Sequence, residues 1–479
     1  MSEQNFNETQ PQLRPKPIDG PLRVHPANQR YFTNNSGQPI YLVGAHTWVN
    51  LMDRFEFDRQ AQMNYSSPTD ASSGEIPDNY LDFMVNAGLN FIRLWMVSEN
   101  PRWGPYTPDE HVYFSPLPWG RSSTPGAFGG GNKFDLSTFH QEYFDRLRTR
   151  VMQARDKGLY VSIMLFFGGS TGNNPNFWPK GTKNPWASHP FHRENNINGV
   201  DGDPDGDGYG YETHTWPLPG KIWEYQRAYL HKVIDSVHDL DNVLYEVSNE
   251  DEADNMGHDG NLAWQIAVIE EVHRYETETY PTQRHMIGFT AGRGLANEEL
   301  LQSPADWISP DNYPRTTDVL LADGRKPVIW DTDHVNTDQI TVDQAWCSFL
   351  RGNNPISMDG YKLWDNDFRP RESDLAMRDT RYYAEKIGLA GLTPTKDEVD
   401  CSTRFCLHHP GAEYLVYQPE ADGEIKLRLD TGRYAVEWFN VDTHTIFPGK
   451  QVQVEQGIQT FQAPFSAAPA VLYLKACTD

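Results

Sequence analysis

The feature that most constrains the fold is a regular alternation of short apolar segments with amphipathic helical segments, which begins near Gly37. Such alternation is typical of βα units arranged around a parallel sheet. The predicted strands are Ile40–Ala45, Asn90–Met96, Leu159–Phe166, Asn242–Val247, His285–Thr290, Asp306–Ser309, Pro327–Trp330 and Pro355–Met358. Because eight parallel strands can close around an interior filled by side chains, the pattern predicts a (β/α)8 TIM barrel, an α/β fold.

The segments between these strands carry the spacing of amphipathic helices. In Phe139–Lys157, apolar side chains recur every three or four residues, which places them on one face of a helix. Trp223–Leu240 and Leu262–Tyr275 follow the same rule. Two connections, Ser98–Asp135 and Gly168–Pro219, are far longer than a minimal turn. Both follow predicted strands, and long loops at the carboxyl ends of barrel strands are where such folds build their sites.

The character of the chain changes after about Leu392. Short strand-like segments such as Glu413–Gln418 and Arg433–Asn440 are separated by turn residues, which predicts a small all-β sandwich. The first 20 residues are polar, contain prolines and show no periodicity, which is typical of disorder. We therefore expect a disordered segment at 1–20, the barrel at 21–391 and the β-sandwich at 392–479.

Composition limits the partners and the location of the chain. It has 41 basic and 66 acidic residues, a net charge of −25, and such a surface repels a nucleic-acid backbone. No apolar run approaches the roughly 20 residues that a membrane-spanning helix needs. The segment 1–16 has no apolar core of the signal-peptide kind, so we expect a cytoplasmic protein or one whose leader has been removed. The four cysteines are too few for a disulfide scaffold, and Cys401, Cys406 and Cys477 leave any pairing open.

The strongest local signal for chemistry is the segment Asn242–Glu250, an apolar strand that ends in an amide and a carboxylic acid. Reacting groups of a barrel lie where its strands end. Cleavage of a glycosidic bond needs a carboxylic acid that protonates the departing oxygen, and an amide such as Asn249 can hold a sugar hydroxyl beside it. The other interpretation is a solvated acidic loop, because further acidic residues follow at 251, 252 and 254.

The pair Asn249–Glu250 at the end of the fourth strand resembles the Asn-Glu signature of the large clan of retaining (β/α)8 glycosidases. The segment Asn90–Trp95 resembles the second strand of that clan, whose arginine braces the catalytic nucleophile; Arg93 occupies this position. The resemblance implies a glycoside hydrolase that acts on a poly- or oligosaccharide, with Glu250 as the general acid/base.

The likeness extends over nearly the whole chain from Gly20 onward. The segments Leu22–Pro26, Tyr31–Thr33 and Pro39–Gly44 resemble the opening of the apiosidase-like family. The segments Phe134–Leu136, Tyr143–Asp145 and Gly158–Tyr160 resemble the third βα unit of the clan. The segment Tyr434–Asn440 resembles the small β-sandwich, of the collagen-binding-like kind, that is often fused behind such barrels.

The end of the seventh strand departs from the pattern of the clan. The nucleophile there is normally a glutamate, but Lys326–Trp330 runs into an Asp-Thr-Asp-His sequence. Because side chains alternate along a strand, Asp331 and Asp333 should share one face, and either can serve as nucleophile or as base for a water. We favour Asp333, which is nearer the rim, and expect the other aspartate to orient it. An aspartate is shorter than a glutamate, so both retention and inversion stay open.

Other residues near predicted strand ends complete the candidate site. An arginine or tyrosine that is hydrogen-bonded to a carboxylate keeps it ionised, and aromatic faces stack on sugar rings. The expected substrate-binding residues are His46, Trp48, Arg93, Trp95, Asn249, Tyr313, His334 and Trp364. The further tryptophans near the predicted mouth are Trp103, Trp119, Trp178 and Trp186. We expect about half of the tryptophans there to contact sugar, and the rest to be core. Asp311 and Asp359 are the next candidates for the second carboxylate.

An independent motif lies in the long connection after the third strand. Its carboxylates are Asp201, Asp203, Asp205, Asp207 and Glu212. Calcium takes about six to eight oxygen ligands, and aspartates spaced around a glycine turn at Gly206 can supply them from one short loop. We expect a structural calcium loop that folds the connection over the cleft; a solvated acidic turn is the alternative.

Three classes of function stay open at this point. The leading class is a hydrolase of glycosidic bonds, which has a carbohydrate substrate and needs no cofactor for catalysis. The second is a carbohydrate-binding protein on a glycosidase-like barrel that has lost its nucleophile, because the glutamate of strand seven is missing. The third is a metal-dependent hydrolase with Asp331, Asp333 and His334 as ligands, which is disfavoured because no further histidine is evident nearby.

Overall fold

Eight parallel strands form the central sheet of the computed structural model. The structure describes residues 11, 13, 16–46, 53–56, 64–65, 78–94, 102–103, 112–128, 131–172, 184–310, 319–332, 340–358 and 368–477. The first strands in chain order are β1 (Arg23–Val24), β2 (Phe32–Thr33), β3 (Pro39–Ile40), β4 (Gly44–His46), β5 (Asp53–Glu56), β6 (Asn64–Tyr65), β7 (Phe91–Leu94), β8 (Arg102–Trp103), β9 (Val112–Ser115), β10 (Trp119–Pro125) and β11 (Asn132–Phe139). They are followed by β12 (Tyr160–Phe167), β13 (Val243–Asn249), β14 (Ile287–Thr290), β15 (Trp307–Ser309), β16 (Ile329–Asp331) and β17 (Asn354–Met358).

The described helices alternate with these strands. They are α1 (Asp78–Asn86), α2 (Gln141–Asp156), α3 (Ile222–Val237), α4 (Ala253–Met256), α5 (His258–Thr279), α6 (Asn297–Gln302), α7 (Val342–Leu350) and α8 (Glu372–Lys386). Short 3-10 helices span Gly168–Thr171, Pro185–Ser188, Tyr211–His214 and Leu389–Gly391. The three helices predicted from apolar spacing are confirmed as α2, α3 and α5. Among the described helices, none is both long and apolar enough to cross a membrane.

The barrel strands lie in the order β15, β14, β13, β12, β7, β4, β17 and β16, and every neighbouring pair is parallel. A parallel bridge between Ile308 and Val328 joins the two outer strands of this order and closes the barrel. All eight strands predicted from the sequence are present, so the predicted (β/α)8 barrel is confirmed.

The first predicted strand is divided in the structure. Pro39–Ile40 belongs to a separate three-stranded sheet with β1 and β2, and the barrel strand begins only at Gly44. The amide of Leu42 donates to the Asn354 side chain, and the amide of Val43 donates to that of Asn90. Because asparagine side chains accept these backbone hydrogen bonds, the β-ladder is interrupted between the two parts of the strand.

Two faces of the barrel strands bury different partners. Outward residues such as Val161, Tyr245 and Trp330 pack in the main apolar core. Inward residues at the amino ends of the strands form a second apolar cluster, the lower plug, made by Leu22, Phe32, Leu42, Phe91, Tyr160, Leu244, Met286, Trp307, Ile329 and Ile356. Leu22 and Phe32 come from the β1–β3 sheet region, which therefore covers the amino-terminal end of the barrel. Ile18 packs against the same plug, and Lys16 pairs with Glu385 at 2.8 Å.

The C-terminal part of the chain is all-β, as predicted. Its strands are β18 (Thr393–Pro394), β19 (Cys406–His409), β20 (Glu413–Gln418), β21 (Ile425–Leu429), β22 (Gly432–Asn440), β23 (Thr445–Pro448), β24 (Val452–Val454), β25 (Gly457–Phe461) and β26 (Ala470–Ala476). Seven of them form one antiparallel sheet, and β21 with β25 forms a two-stranded ribbon. Apolar residues that include Leu427, Trp438 and Leu472 pack between the two layers.

The all-β domain and the barrel share apolar packing. Trp346 of α7 stacks on Tyr417 of β20, with ring centroids 5.9 Å apart, and also packs against Phe439 of β22. Polar contacts surround this core: the Glu437 carboxylate accepts hydrogen bonds from Lys386 at 2.6 Å and from the Tyr383 hydroxyl at 3.0 Å. The helices α7 and α8 therefore bury their outer faces against the second domain.

Candidate active site

The carboxyl end of β13 presents an acidic side chain at the mouth of the barrel. Asn249, the last residue of β13, is fully buried, and the next residue, Glu250, is exposed. The backbone of Glu250 has φ = 54°, in the left-handed region that is rare for non-glycine residues. Such a conformation costs about 1–3 kcal/mol and persists where the surroundings fix it. The Glu250 carboxyl group is therefore held on a constrained backbone.

Two glycines at the ends of the flanking strands fit closely around this backbone. Gly168 directly follows β12, and a Cβ atom there would overlap the carbonyl oxygen of Glu250. Gly292 follows β14, and a Cβ atom there would overlap the carbonyl oxygen of Asp251. Only a residue without a side chain allows such close approach of two backbones. The backbone of Glu250 and Asp251 is thus closely packed on both sides.

Below the mouth, inward side chains form a buried polar layer around Arg93. The Arg93 guanidinium donates to both carboxylate oxygens of Glu246, with N–O distances of 2.8 and 2.9 Å, and its Nη1 donates to Asp331. The hydroxyl of Ser162 donates to Glu246 at 3.0 Å, and that of Thr290 donates to it as well. These side chains are at most 1% exposed. Two carboxylates from opposite sides of the barrel therefore share one cation.

The charge states of this layer follow from burial and charge. Burial by itself would lower the pKa of Arg93, but the charges and hydrogen bonds of Asp331 and Glu246 outweigh it and raise that pKa above its usual value. Burial lowers the pKa of His46, and the nearby Asp331 only partly opposes this. His46 is therefore neutral at pH 7. Its Nε2 lies 3.2 Å from Asp331 Oδ1, so the proton sits on Nε2 and is donated to the carboxylate.

These contacts define the place of Asp331. It is the last residue of β16 and 1% exposed, with one oxygen facing His46 and the other facing Arg93. Arg93 thus lies against the carboxylate at the end of β16. Asp333 lies outside the described residues.

Glu246 was missed by the sequence analysis. It lies four residues before Glu250 on β13, and its side chain faces inward because strand side chains alternate. A carboxylate in the middle of an otherwise apolar strand, at an inward position, was the available signal. Its partner Arg93 is 153 residues away, so the sequence could not pair them.

Known structures share this architecture. No protein-family model matches the chain, and no curated protein matches its sequence significantly. One solved glycoside hydrolase aligns over 97% of this chain and 99% of its own, with a TM-score of 0.58 and 12% identity. A family 5 glycoside hydrolase from Bacteroides vulgatus ATCC 8482 aligns over 97% of this chain and 95% of its own, with a TM-score of 0.60 and 12% identity. The chain has the fold of these proteins. The alignments span both the barrel and the all-β domain.

The remaining predicted residues differ in where this fold places them. His46 and Arg93 lie in the buried layer, and Asn249 is buried at the end of β13. Trp119 and Trp186 are 4% and 1% exposed, so both pack in the core. The candidates that lie outside the described residues are Trp48, Trp95, Trp178, Asp311, Tyr313, Asp333, His334, Asp359 and Trp364. For Trp103 the structure describes the backbone alone, in β8.

The predicted calcium loop brings three of its carboxylates together. Oxygens of Asp203, Asp205 and Glu212 all lie within 4.8 Å of one another. Asp201 and Asp207 lie outside this group and accept backbone hydrogen bonds from the amides of residues 203 and 209. Asp203 and Asp205 also accept backbone hydrogen bonds, from the amides of residues 207 and 208. Burial raises the pKa of Glu212 to about 7, with the charges of Asp205, Asp203 and Asp207 adding to it. Burial likewise raises the pKa of Asp203. Oxygen ligands crowded in this way suit a hard divalent cation.

Proposed function

We propose that the chain is a glycoside hydrolase that cleaves a poly- or oligosaccharide with a pair of carboxylates. The observation that carries the proposal is Glu250, an exposed carboxyl group on a constrained backbone at the end of β13, above a buried Arg93–Asp331 pair. Glycosidic cleavage needs a proton donor for the leaving oxygen and a second carboxylate as nucleophile or base. Glu250 is the general acid/base in this scheme.

We assign the second carboxylate to the end of strand seven. Asp331 is buried, and each of its oxygens already faces a side chain, Arg93 or His46. That arrangement suits a group that orients its neighbour rather than one that attacks a sugar. Asp333, two residues further along the sequence, is therefore our choice for the reacting carboxylate, and Asp331 for the orienting one.

The substrate class rests on the whole-chain likeness. The two glycoside hydrolases described above cover the chain at both domains, which supports a carbohydrate substrate. The segments near the amino terminus that resemble the apiosidase-like family, and the collagen-binding-like tail, support a place beside that family.

Aryl glycosides of different sugars and natural polysaccharides test the proposal directly. Glu250→Gln should lower turnover of a natural glycan by at least roughly 100-fold, because general-acid catalysis contributes at least that much. Asp259→Asn is the matched control, since Asp259 is a fully exposed acidic residue at the start of α5 and its loss should leave turnover unchanged. Binding of glycans without any cleavage by the wild type would instead support a carbohydrate-binding protein.

Variants at strand seven separate the two aspartates. Asp333→Gly should lose turnover and regain it with azide or formate if Asp333 is the nucleophile, because the anion fills the gap. Asp331→Asn should show a milder loss without such rescue. The stereochemistry of the product, measured by NMR, then distinguishes retention from inversion. Near wild-type rates for both variants would move the second carboxylate to Asp311 or Asp359.

We also propose that the loop of Asp203, Asp205 and Glu212 binds calcium as a structural ion. The sequence spacing and the clustering of the three carboxylates support this. An ion that binds only the folded protein stabilises it by mass action. EDTA should therefore lower the melting temperature and calcium should restore it, whereas Glu212→Gln should remove the response. An unchanged melting curve in EDTA, with no calcium found by elemental analysis, would end this proposal.

A further inference from the structure

A buried histidine–carboxylate pair lies directly beside the proposed acid. Asp251 follows Glu250 in the chain, is 1% exposed, and its Oδ1 lies 2.7 Å from Nδ1 of His214. The His214 side chain is fully buried. Because both groups are removed from water, loss of the histidine removes this partner from a buried carboxylate.

The His214 ring is fixed by its own surroundings. It stacks on Trp264 of α5, with centroids 4.1 Å apart and an interplanar angle of 8°. The backbone carbonyl oxygen of His214 accepts a hydrogen bond from the Asn261 side chain at 3.0 Å. The Trp264 indole donates to Gln226 of α3, and Gln226 donates in turn to the carbonyl of Thr213. The 3-10 helix Tyr211–His214 is thereby tied to two barrel helices.

His214 is connected to Glu250 through the side chain and backbone of Asp251. Asp251 is anchored at its side chain by His214 and clamped at its carbonyl by Gly292. Glu250, one residue earlier, holds a left-handed conformation against Gly168. A side-chain anchor on Asp251 restricts rotation of the peptide that joins the two residues. The direction of the Glu250 carboxyl group then depends on the His214–Asp251 contact.

We propose that His214 is a positioning residue for Glu250, which acts through Asp251. This inference rests on the proposed glycoside hydrolase function. His214 does not contact the sugar in this scheme; it holds the backbone that aims the acid at the leaving oxygen. A small displacement of a catalytic group is enough to slow the reaction strongly.

The matched variants are His214→Phe and His285→Phe. Phenylalanine at 214 keeps the ring on Trp264 but removes the donor to Asp251. His285 makes an equivalent buried pair, with Nδ1 2.9 Å from Glu276, beside the lower plug at the opposite end of the barrel. Both variants remove a histidine ring from a buried carboxylate, so both should lower the melting temperature; in His285→Phe the backbone amide of residue 285 still donates to Glu276 at 2.8 Å. His214→Asn loses the ring that stacks on Trp264 but retains a side-chain N–H near the position of Nδ1, so it should slow turnover less than His214→Phe does.

The kinetic test compares phenyl and 2,4-dinitrophenyl glycosides of the sugar that the wild type cleaves fastest. Phenolate leaves poorly without a proton, whereas dinitrophenolate does not need one. His214→Phe should lower kcat/KM about 10- to 100-fold for the phenyl glycoside, as expected for a misplaced acid, and much less for the dinitrophenyl glycoside. His285→Phe should leave the ratio of the two rates as in the wild type. An unchanged ratio in His214→Phe would overturn the inference.

Hydrogen exchange provides a readout that does not depend on turnover. The amides of residues 247–256 should exchange faster in His214→Phe than in both the wild type and His285→Phe, and His214→Asn should restore part of their protection. Equal exchange in this segment for the two phenylalanine variants would overturn the inference. If the wild type cleaves no glycoside, or if Glu250→Gln leaves the phenyl-to-dinitrophenyl ratio unchanged, the proposed function fails, and the exchange data alone decide the role of His214.

Discussion

The two ends of the barrel differ in chemistry although the same strands build both. The amino-terminal end is filled by the lower plug, a set of apolar side chains such as Phe91, Leu244 and Ile329. Two residues further along the same strands lie Arg93, Glu246 and Asp331. At about 3.3 Å per residue, less than 7 Å separates an apolar layer from an ionic one. One strand can therefore serve stability and chemistry in adjacent layers.

The two layers should respond differently to substitution. A residue of the lower plug contributes by apolar burial, so its loss affects the free energy of unfolding. A residue of the polar layer takes part in a buried ion pair. Its loss therefore affects both the free energy of unfolding and the carboxylates near the mouth. The following variants test how sharply the two effects separate.

Arg93→Met should have the largest effect. Methionine removes the guanidinium that Glu246 and Asp331 share and leaves both carboxylates buried. Removing one partner of a buried ion pair costs about 3–5 kcal/mol of unfolding free energy. We expect urea denaturation to show a large decrease in the free energy of unfolding. We also expect no measurable glycoside turnover in the folded fraction. Arg148→Met is the control, because Arg148 pairs with Asp239 at the surface, where an ion pair contributes at most about 1 kcal/mol. Equal decreases in the free energy of unfolding for Arg93→Met and Arg148→Met would contradict the role of Arg93 as the shared cation of the polar layer.

Leu244→Ala should also lower the free energy of unfolding, but it should leave glycoside turnover unchanged. Leu244 is fully buried in the lower plug, and such a truncation costs about 2–5 kcal/mol. Turnover per folded molecule, measured well below the melting temperature, should equal that of the wild type. A fall in turnover would show that the plug and the mouth are not independent.

Gly168→Ala and Gly288→Ala form the most closely matched pair, with the smallest effects. A methyl group at 168 would meet the backbone of Glu250, and one at 288 would meet the ring of Trp307 in the lower plug. Both should lower the unfolding free energy by about 1–3 kcal/mol through overpacking. Turnover should fall in Gly168→Ala alone, because only that methyl group displaces the proposed acid. If Gly288→Ala slows turnover as much, the ends of the barrel are coupled.

Much of the fold could be predicted because its signals are local. Each barrel strand is a short apolar run, and α2, α3 and α5 show apolar spacing within one segment. The strand end that carries Glu250 was visible for the same reason. The divided first strand was not, because Asn90 and Asn354 interrupt its ladder from distant parts of the chain.

The parts of the site that could not be predicted depend on distant contacts. Glu246 lies in an apolar strand and acquires its role only from Arg93. Asp251 and His214 are 37 residues apart, and nothing in the sequence pairs them. Trp119 and Trp186 were candidates for stacking on sugar rings, but both are buried. A buried tryptophan and a sugar-binding one have the same local sequence signal.

The packing of Trp346 and Tyr383 against the all-β domain has a consequence for how the protein melts. Because barrel helices and domain strands bury each other in one apolar cluster, neither part can open without exposing aromatic rings of the other. Calorimetry should record a single heat-absorption peak rather than two. A fragment that stops at residue 391 would carry an uncovered aromatic surface and would aggregate on expression. The C-terminal domain thus covers aromatic rings of α7 and α8 that the barrel alone would expose.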